Sequence, residues 1–373
     1  MPKNHHVKRR KLAMGSVLTG ILLLVSACSS GSTSKNASET LDPNADLNKQ
    51  SLVVSNWAAY MPEDLPANFQ TLTGAKVTVT NHATNEEIMA KLTAGGDSGI
   101  DVAFVSGQFA QALAAQGLLE PIQSDLVPNL TNLYPEATQL AYDIGNKYSV
   151  PYSWGTTGIC YRRDLTGFDP TSWNDILNPI AKLKGKVTAL ATERWLMLPA
   201  QKLHGYSVNT TSETEMTKVK ETLVAAKKNL LAYDDTTFYT RLVSGEAAMT
   251  VAWDGWCNYG ITENKNIKYV IPKEGSDLWT DTMVILKTSK NKEAAHAFIN
   301  YVLDSKVQSW VVENILYKVP NKAAMDLVAA KLGVTYPNLL MTPADLLKGE
   351  GIIDLGAAGP MYTKIATEVT ASK

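Results

Sequence analysis

Leu52-Val53-Val54-Ser55-Asn56, Lys76-Val77-Thr78-Val79-Thr80 and Asp101-Val102-Ala103-Phe104-Val105 are three short runs rich in β-branched and apolar residues. Each predicts a strand, and each is followed by a helical pattern. Residues 62–72 predict a short helix that Gly74 stops. Thr84-Asn85-Glu86-Glu87 is a capping-box pattern, with Thr84 as N-cap and Glu87 three residues later. Ile88, Met89 and Leu92 then recur at helical spacing until Gly95-Gly96, and Phe109, Ala110, Leu113 and Ala114 do so until Gly117. The order β-α-β-α-β-α predicts an α/β body with a parallel sheet covered on both faces.

A second α/β set follows. Strands are predicted at 158–161, 186–190, 247–253 and 281–286, with helices over 213–228 and 292–303. The last of these turns Ala295, Phe298, Ile299 and Val302 to one side. A chain of 373 residues is too long for one ordinary core and suits two lobes of roughly 100–200 residues each. No repeat of fixed period is evident. The hydrophobic fraction of 45% and the charged fraction of 19% are those of a globular protein.

The N-terminal stretch has a different character. Lys3, Lys8, Arg9, Arg10 and Lys11 precede a mostly apolar run of about 16 residues ending at Ala27, too short to span a membrane and typical of a secretory signal. Leu24-Val25-Ser26-Ala27-Cys28 is similar to the lipobox of bacterial lipoproteins, in which the cysteine is lipidated and becomes the new N-terminus. An unlipidated, cleaved signal and an uncleaved anchor are the alternatives. Residues 29–50 are rich in Ser, Asn, Asp and Thr and predict a flexible tether spanning roughly 25 Å on average. Export leaves Cys160 and Cys257 either paired or as two buried free thiols.

Several function classes find no support. Without residues 1–27 the chain has 30 basic and 36 acidic residues, a net of −6, which argues against a nucleic-acid partner. There is no G-x-S-x-G, H-E-x-x-H, P-loop or G-x-G-x-x-G motif. His82, His204 and His296 stand alone, so no metal site and no cofactor is expected.

Open α/β sheets bind ligands beyond the carboxyl ends of their strands. Trp57 and Tyr60 follow the first strand, and Ser106 and Gln108 follow the third. Trp253-Asp254-Gly255 ends the strand at 247–253. Trp279 and Asp281 lie two residues apart and face the same way if extended. A ring beside a carboxylate seats an ammonium group through cation–π attraction and a charge-assisted hydrogen bond. The alternative is a core Trp279 and an Asp281 that caps a turn.

Together these residues support a resemblance. Asn56-Trp57-Ala58-Ala59-Tyr60-Met61-Pro62 resembles the N-W-x-x-Y-x-P opening of bacterial spermidine/putrescine-binding proteins. The similarity continues through Asn85-Glu86, Asp101 to Ser106, Val150 to Gly155, Ala252 to Gly255, Pro272 to Gly275, Trp279-Thr280-Asp281 and Tyr317 to Asn321, and covers about 51–365. It implies a two-lobed type II periplasmic-binding-protein fold with a ligand cleft between lobes, one lobe of 51–156 plus 281–325 and another of 157–280 plus 326–373. It implies a non-enzymatic, monomeric, extracytoplasmic binding component of an ABC importer. Its partners would be a membrane permease and a small amine, with Cys28 as the lipid anchor. The aromatic box would be Trp57, Tyr60, Trp253, Trp279 and Tyr317, with Asp281 on an amine and Ser106 near the cleft.

The departures bear on the ligand. Ala58 stands where the family often has a hydroxyl, Gln108 where it has an aromatic, and Ile352 where it has a glutamine. Spermidine binders place an acidic pair after the strand at 186–190, where this chain reads Ala191-Thr192-Glu193-Arg194-Trp195. Glu193 supplies one acid if the alignment slips by a residue, and Arg194 is a cation in the same place. A putrescine-like diamine, spermidine, and an amino-acid-like zwitterion or betaine whose carboxylate meets Arg194 are all compatible. A surface hydrolase and a purely structural surface lipoprotein are more distant alternatives.

Overall fold

The computed structural model describes residues 41–372. The expected leader, Cys28 and residues 29–40 of the expected tether lie outside the described residues. Residues 41–50 revise that tether. Leu41 is buried, and Gln50 donates to Glu293 Oε2 (3.1 Å) and accepts from the Ala294 amide (2.9 Å). Hydrogen bonds to the body satisfy a segment whose composition alone gives no reason to order.

Two sheets organise the described residues. The first contains β1 (Ser51–Asn56), β2 (Lys76–Asn81), β3 (Val102–Ser106), β4 (Ser149–Gly155), β10 (Asp277–Ile285) and β11 (Glu350–Gly351). The second contains β5 (Thr157–Arg162), β6 (Val187–Ala189), β7 (Ala232–Tyr233), β8 (Met249–Trp253) and β9 (Ile267–Val270), in the order β7-β6-β8-β5-β9. The first three strands are parallel, as their order predicts, with Leu52 opposite Val77 and Val54 opposite Val102. The sheet as a whole is mixed rather than parallel. β10 enters antiparallel to β3, and β4 lies antiparallel to β10. β10 arrives from the other lobe, so the crossover geometry that forces parallel pairing does not apply to it.

Patterning explains the layers. β3 is buried at every position, as a central strand must be, while the edge strand β2 leaves Lys76, Thr78 and Asn81 less covered. The helix Lys292–Val302 buries Ala295, Phe298, Ile299 and Val302, and Phe298 meets Phe69 edge to face at 5.5 Å. Thr84 caps the helix Asn85–Thr93 by accepting from the Glu87 amide (3.2 Å), and Glu87 reaches back to the Ala83 amide (2.7 Å). Beside the second sheet, the helices Glu193–Leu203, Glu213–Lys227 and Gly359–Ala371 share a separate apolar cluster that includes Met197, Met216, Leu223 and Tyr362.

The chain passes between the sheets at Thr156, again at 271–276, and once more after β11. Asp277, the first residue of β10, ties the first two crossings together. It accepts from the Thr157 amide (2.8 Å), Thr157 Oγ1 (3.1 Å), Trp195 Nε1 (2.8 Å) and Ser276 Oγ (3.0 Å). Two expected lobe boundaries fall inside elements: 281 within β10, and 325 within the helix Lys322–Leu332, which packs on the helix Ser305–Asn314.

A disulfide joins Cys160 on β5 to Cys257 in the helix Asp254–Glu263, with Cα atoms 5.7 Å apart and a sequence separation of 97. Closing so long a loop stabilises a fold by about 4 kcal/mol in the chain-entropy account. Reduction, or the Cys160→Ser/Cys257→Ser pair, is expected to lower Tm by several degrees in a thermal melt. An unchanged Tm would show that the bond carries no stability.

Candidate ligand-binding site

The first wall of the site grows from the carboxyl ends of β1 and β3. Trp57 follows β1 directly. Ala59, left-handed at φ 55°, folds the chain back so that Tyr60 meets Trp57 edge to face at 5.5 Å. The Tyr60 ring packs on Tyr152 at 5.4 Å, and the Tyr152 hydroxyl donates to the Tyr60 carbonyl (2.5 Å). Behind Trp57 lies His82 at 4.9 Å, which burial holds toward its neutral form. Ser106, the last residue of β3, is oriented by Asn85, which donates to its hydroxyl (3.1 Å) and accepts from its amide (2.9 Å).

Antiparallel pairing puts Asp281 of β10 opposite both Ser106 of β3 and Ser153 of β4, and the register with β4 shifts immediately after it. An irregularity of this kind re-aims a side chain. Ser106 Oγ donates to Asp281 Oδ1 (2.7 Å), and the Tyr60 hydroxyl donates to Oδ2 (2.8 Å) while contacting Ser153 Oγ at 2.7 Å. Each carboxylate oxygen thus holds one neutral donor. No cation pairs with Asp281 among the described residues. Its pKa is raised by burial, against the lowering effect of the Ser106 and Tyr60 hydrogen bonds. The Tyr60 and Tyr317 hydroxyls are both driven well above the usual tyrosine range, by burial first, with nearby carboxylates adding.

A second cluster of side chains is aromatic. Trp279, two residues before Asp281, meets Tyr317 at 5.0 Å, ring edge to face. Gly155 pairs with Trp279 across β4 and β10, and any Cβ there would strike both the indole and the Asp254 carboxylate. Leu316, left-handed at φ 58°, turns the chain that carries Tyr317, and Gly255 leaves room for the Tyr317 ring. Trp253, at the end of β8, meets Trp195 at 5.3 Å, and Trp195 is fixed in turn by Asp277.

The sequence-predicted residues therefore separate into groups. Tyr60, Ser106 and Asp281 share direct hydrogen bonds, Trp57 packs on Tyr60, and Trp279 packs on Tyr317. Asp281 lies within a strand and caps no turn. Trp253 pairs with Trp195 on the second lobe. Asp254 is fully buried in an ion pair with Lys318, so its charge is already compensated. Gln108 is buried on the first turn of the helix Gly107–Ala115. Glu193 accepts from Thr363 Oγ1 (3.1 Å). Arg194 donates to the Ile353 carbonyl (2.9 Å), the Val208 carbonyl (3.0 Å) and Asn209 Oδ1 (2.6 Å), over the Tyr362 ring. These partners hold both Nη atoms of the guanidinium, while Nε is buried without a hydrogen-bond partner. Sequence reasoning missed Ser153, Trp195, Asp277 and Lys318. Trp195 carried a signal, as an aromatic just beyond a strand's carboxyl end, and Ser153 and Lys318 lie within the stretches that carry the family resemblance.

An uncompensated buried carboxylate has a consequence for stability. Because the folded pKa of Asp281 is raised, its ionised form opposes folding above that pKa, and the penalty is relieved as pH falls through it. Asp281→Asn, which keeps the shape and removes the charge, is expected to leave the ligand-free Tm unchanged or higher near neutral pH. A fall of several degrees would show that the charge supports the unliganded fold.

The profile of the bacterial extracellular solute-binding proteins matches residues 65–331. The spermidine/putrescine-binding periplasmic protein of Escherichia coli (strain K12) is 31% identical over 334 residues, covering 88% of this chain and 94% of that one. The putrescine-binding periplasmic protein PotF of the same organism is 30% identical over 302 residues, 76% of this chain and 81% of its own. Among solved structures, the spermidine/putrescine ABC transporter substrate-binding protein PotD from Streptococcus pneumoniae superposes with a TM-score of 0.74 at 26% identity, over 86% of this chain and 98% of that one. The shared architecture is the two-lobed periplasmic-binding-protein fold. This chain belongs to the bacterial extracellular solute-binding protein family.

Proposed function

We propose that the protein is the extracytoplasmic binding component of an ABC importer and that its ligand is a polyamine. One observation carries this reading: Asp281 is a desolvated carboxylate whose protein partners are two hydroxyls, with no cation among the described residues and with rings around it. An ammonium group supplies the missing charge, and the rings of Trp57, Tyr60, Trp253, Trp279 and Tyr317 attract its methylene chain and its cation. The names of the relatives, spermidine and putrescine binders, support the same ligand class. Arg194 is engaged elsewhere, which removes the motive for a zwitterion.

Closure is a hinge motion at the crossings by Thr156 and 271–276, which excludes water and strengthens the charge pair. Delivery to a membrane permease, attachment through Cys28 and a monomeric state complete the proposal. Among the described residues no helix is long and apolar enough to cross a membrane.

A ligand that binds only the folded state at a hundredfold excess over Kd stabilises by about 2.7 kcal/mol, or roughly 4 °C for a body of this size. Putrescine or spermidine is expected to raise Tm by that order, and Asp281→Asn to abolish the shift. If no amine shifts Tm while amino acids or betaines do, the ligand assignment is wrong. The pH dependence has a definite sign. Amine affinity is constant while Asp281 is ionised and falls as acid protonates it, beginning above the ordinary carboxylate range because its pKa is raised. Titration calorimetry in steps from pH 7 downward checks this.

A further inference from the structure

We infer that Arg194 is a positioning residue for ligand binding, because it ties the last crossing between the lobes to the helix turn that carries Trp195. This rests on the reading, given above, of an amine held between the two lobes. Arg194 is partly buried, with Nε fully covered and unpartnered, and no carboxylate pairs with it among the described residues. Desolvating a cation is costly unless other groups restore what water gave. Here neutral oxygens do so, and one of them belongs to the crossing: the Ile353 carbonyl accepts from Nη1 (2.9 Å), while the Val208 carbonyl (3.0 Å) and Asn209 Oδ1 (2.6 Å) accept from Nη2. Asn209 extends the grip, accepting from the Ile353 amide (3.2 Å) and donating to the Gly351 carbonyl (2.9 Å). Glu350 adds an ion pair to Lys202 (2.6 Å) and accepts from the Val208 amide (3.0 Å).

The same segment is bonded to the first lobe. The Glu350 amide donates to the Ser276 carbonyl (3.0 Å) and the Ile352 amide to the Leu278 carbonyl (3.2 Å), in line with the β10–β11 pairing. The Asp354 amide donates to Gln111 Oε1 (2.8 Å), on the helix Gly107–Ala115 that begins directly after Ser106. Residues 350–354 are therefore a strap, held by both lobes. On the second lobe it ends at a helix turn with three consecutive attachments. Glu193 accepts from Thr363, Arg194 holds the strap, and Trp195 donates to Asp277 at the second crossing while meeting Trp253 at 5.3 Å. Two crossings thus converge on the turn whose ring backs Trp253. Burial lowers the Arg194 pKa, and Tyr362, Asp277, Glu350 and Asp354 act against it; these three acids belong to the same two crossings. A guanidinium presents its donors in a fixed plane, so it holds Ile353 and Asn209 at once, where an ammonium is a single point. Without it the strap no longer fixes the second-lobe rings relative to Asp281, whichever amine is bound.

The test uses Arg194→Met, which removes the charge and the hydrogen bonds, and Arg194→Lys, which keeps the charge and loses the fork. Calorimetry with putrescine and spermidine is run well below each variant's Tm, beside small-angle X-ray scattering of the ligand-free proteins. Arg194→Met is expected to weaken both amines by the same factor, roughly tenfold, and Arg194→Lys to weaken both by roughly threefold. The ligand-free radius of gyration of Arg194→Met is expected to differ from that of the unsubstituted protein. A lowered Tm with unchanged affinities makes Arg194 a framework residue only and overturns the inference. Stronger amine binding in Arg194→Met also overturns it, since the guanidinium would then face the ligand. Full affinity in Arg194→Lys assigns the effect to charge and overturns it as well. An unsubstituted protein that takes up neither amine overturns the polyamine reading, whereas an unchanged radius of gyration in Arg194→Met overturns this inference alone.

Discussion

A carboxylate held out of water without a protein cation is the constraint around which this structure is arranged. Desolvating an ion costs several kcal/mol unless opposite charge or hydrogen bonds restore what water gave. At Asp281 the restoration is partial, with one hydroxyl from Ser106 and one from Tyr60. Those donors are themselves positioned, Ser106 by Asn85 and Tyr60 by Tyr152 and the left-handed turn at Ala59. Such a site is incomplete in a specific way, because it lacks a positive charge and little else.

Three acids near the lobe crossing show how differently one problem can be met. Asp254 is neutralised by Lys318, with both side chains buried. Asp277 is surrounded by four neutral donors and couples Thr157 of the hinge to Trp195 of the second-lobe wall. Asp281 alone of the three holds only two neutral donors and no cation among the described residues. The first two are therefore framework, fixing Gly155, Trp279 and Trp195 around the third.

Much of this was legible in the sequence, for local reasons. The runs at 52–56, 76–80 and 101–105 form β1, β2 and β3 almost residue for residue, because their patterning reports a sheet buried between helices. The Thr84 cap and the inward face of Lys292–Val302 follow from spacing alone. Less visible was β4, since Pro151 argues against a strand; it is tolerated because it lies opposite Thr282, where the register with β10 shifts. The helix Glu193–Leu203 hid behind Pro199. The Lys318–Asp254 pair and the bonds of Asp277 to Thr157 and Trp195 join residues 64 to 120 positions apart, and no local pattern announces them. Arg194 shows the limit most clearly: its sequence position suggested the cleft, and its hydrogen bonds to Val208, Asn209 and Ile353 place it elsewhere.

The central claim is that a ligand ammonium completes Asp281, and proton release on binding tests it most directly. At a pH just below its raised pKa, Asp281 is partly protonated in the empty protein and must ionise to receive the cation. Calorimetry of putrescine binding in buffers of different ionisation enthalpy should therefore reveal a fraction of a proton released per ligand, vanishing as pH rises well above that pKa and absent in Asp281→Asn. Tight putrescine binding with no proton release at any acidic pH would contradict the account.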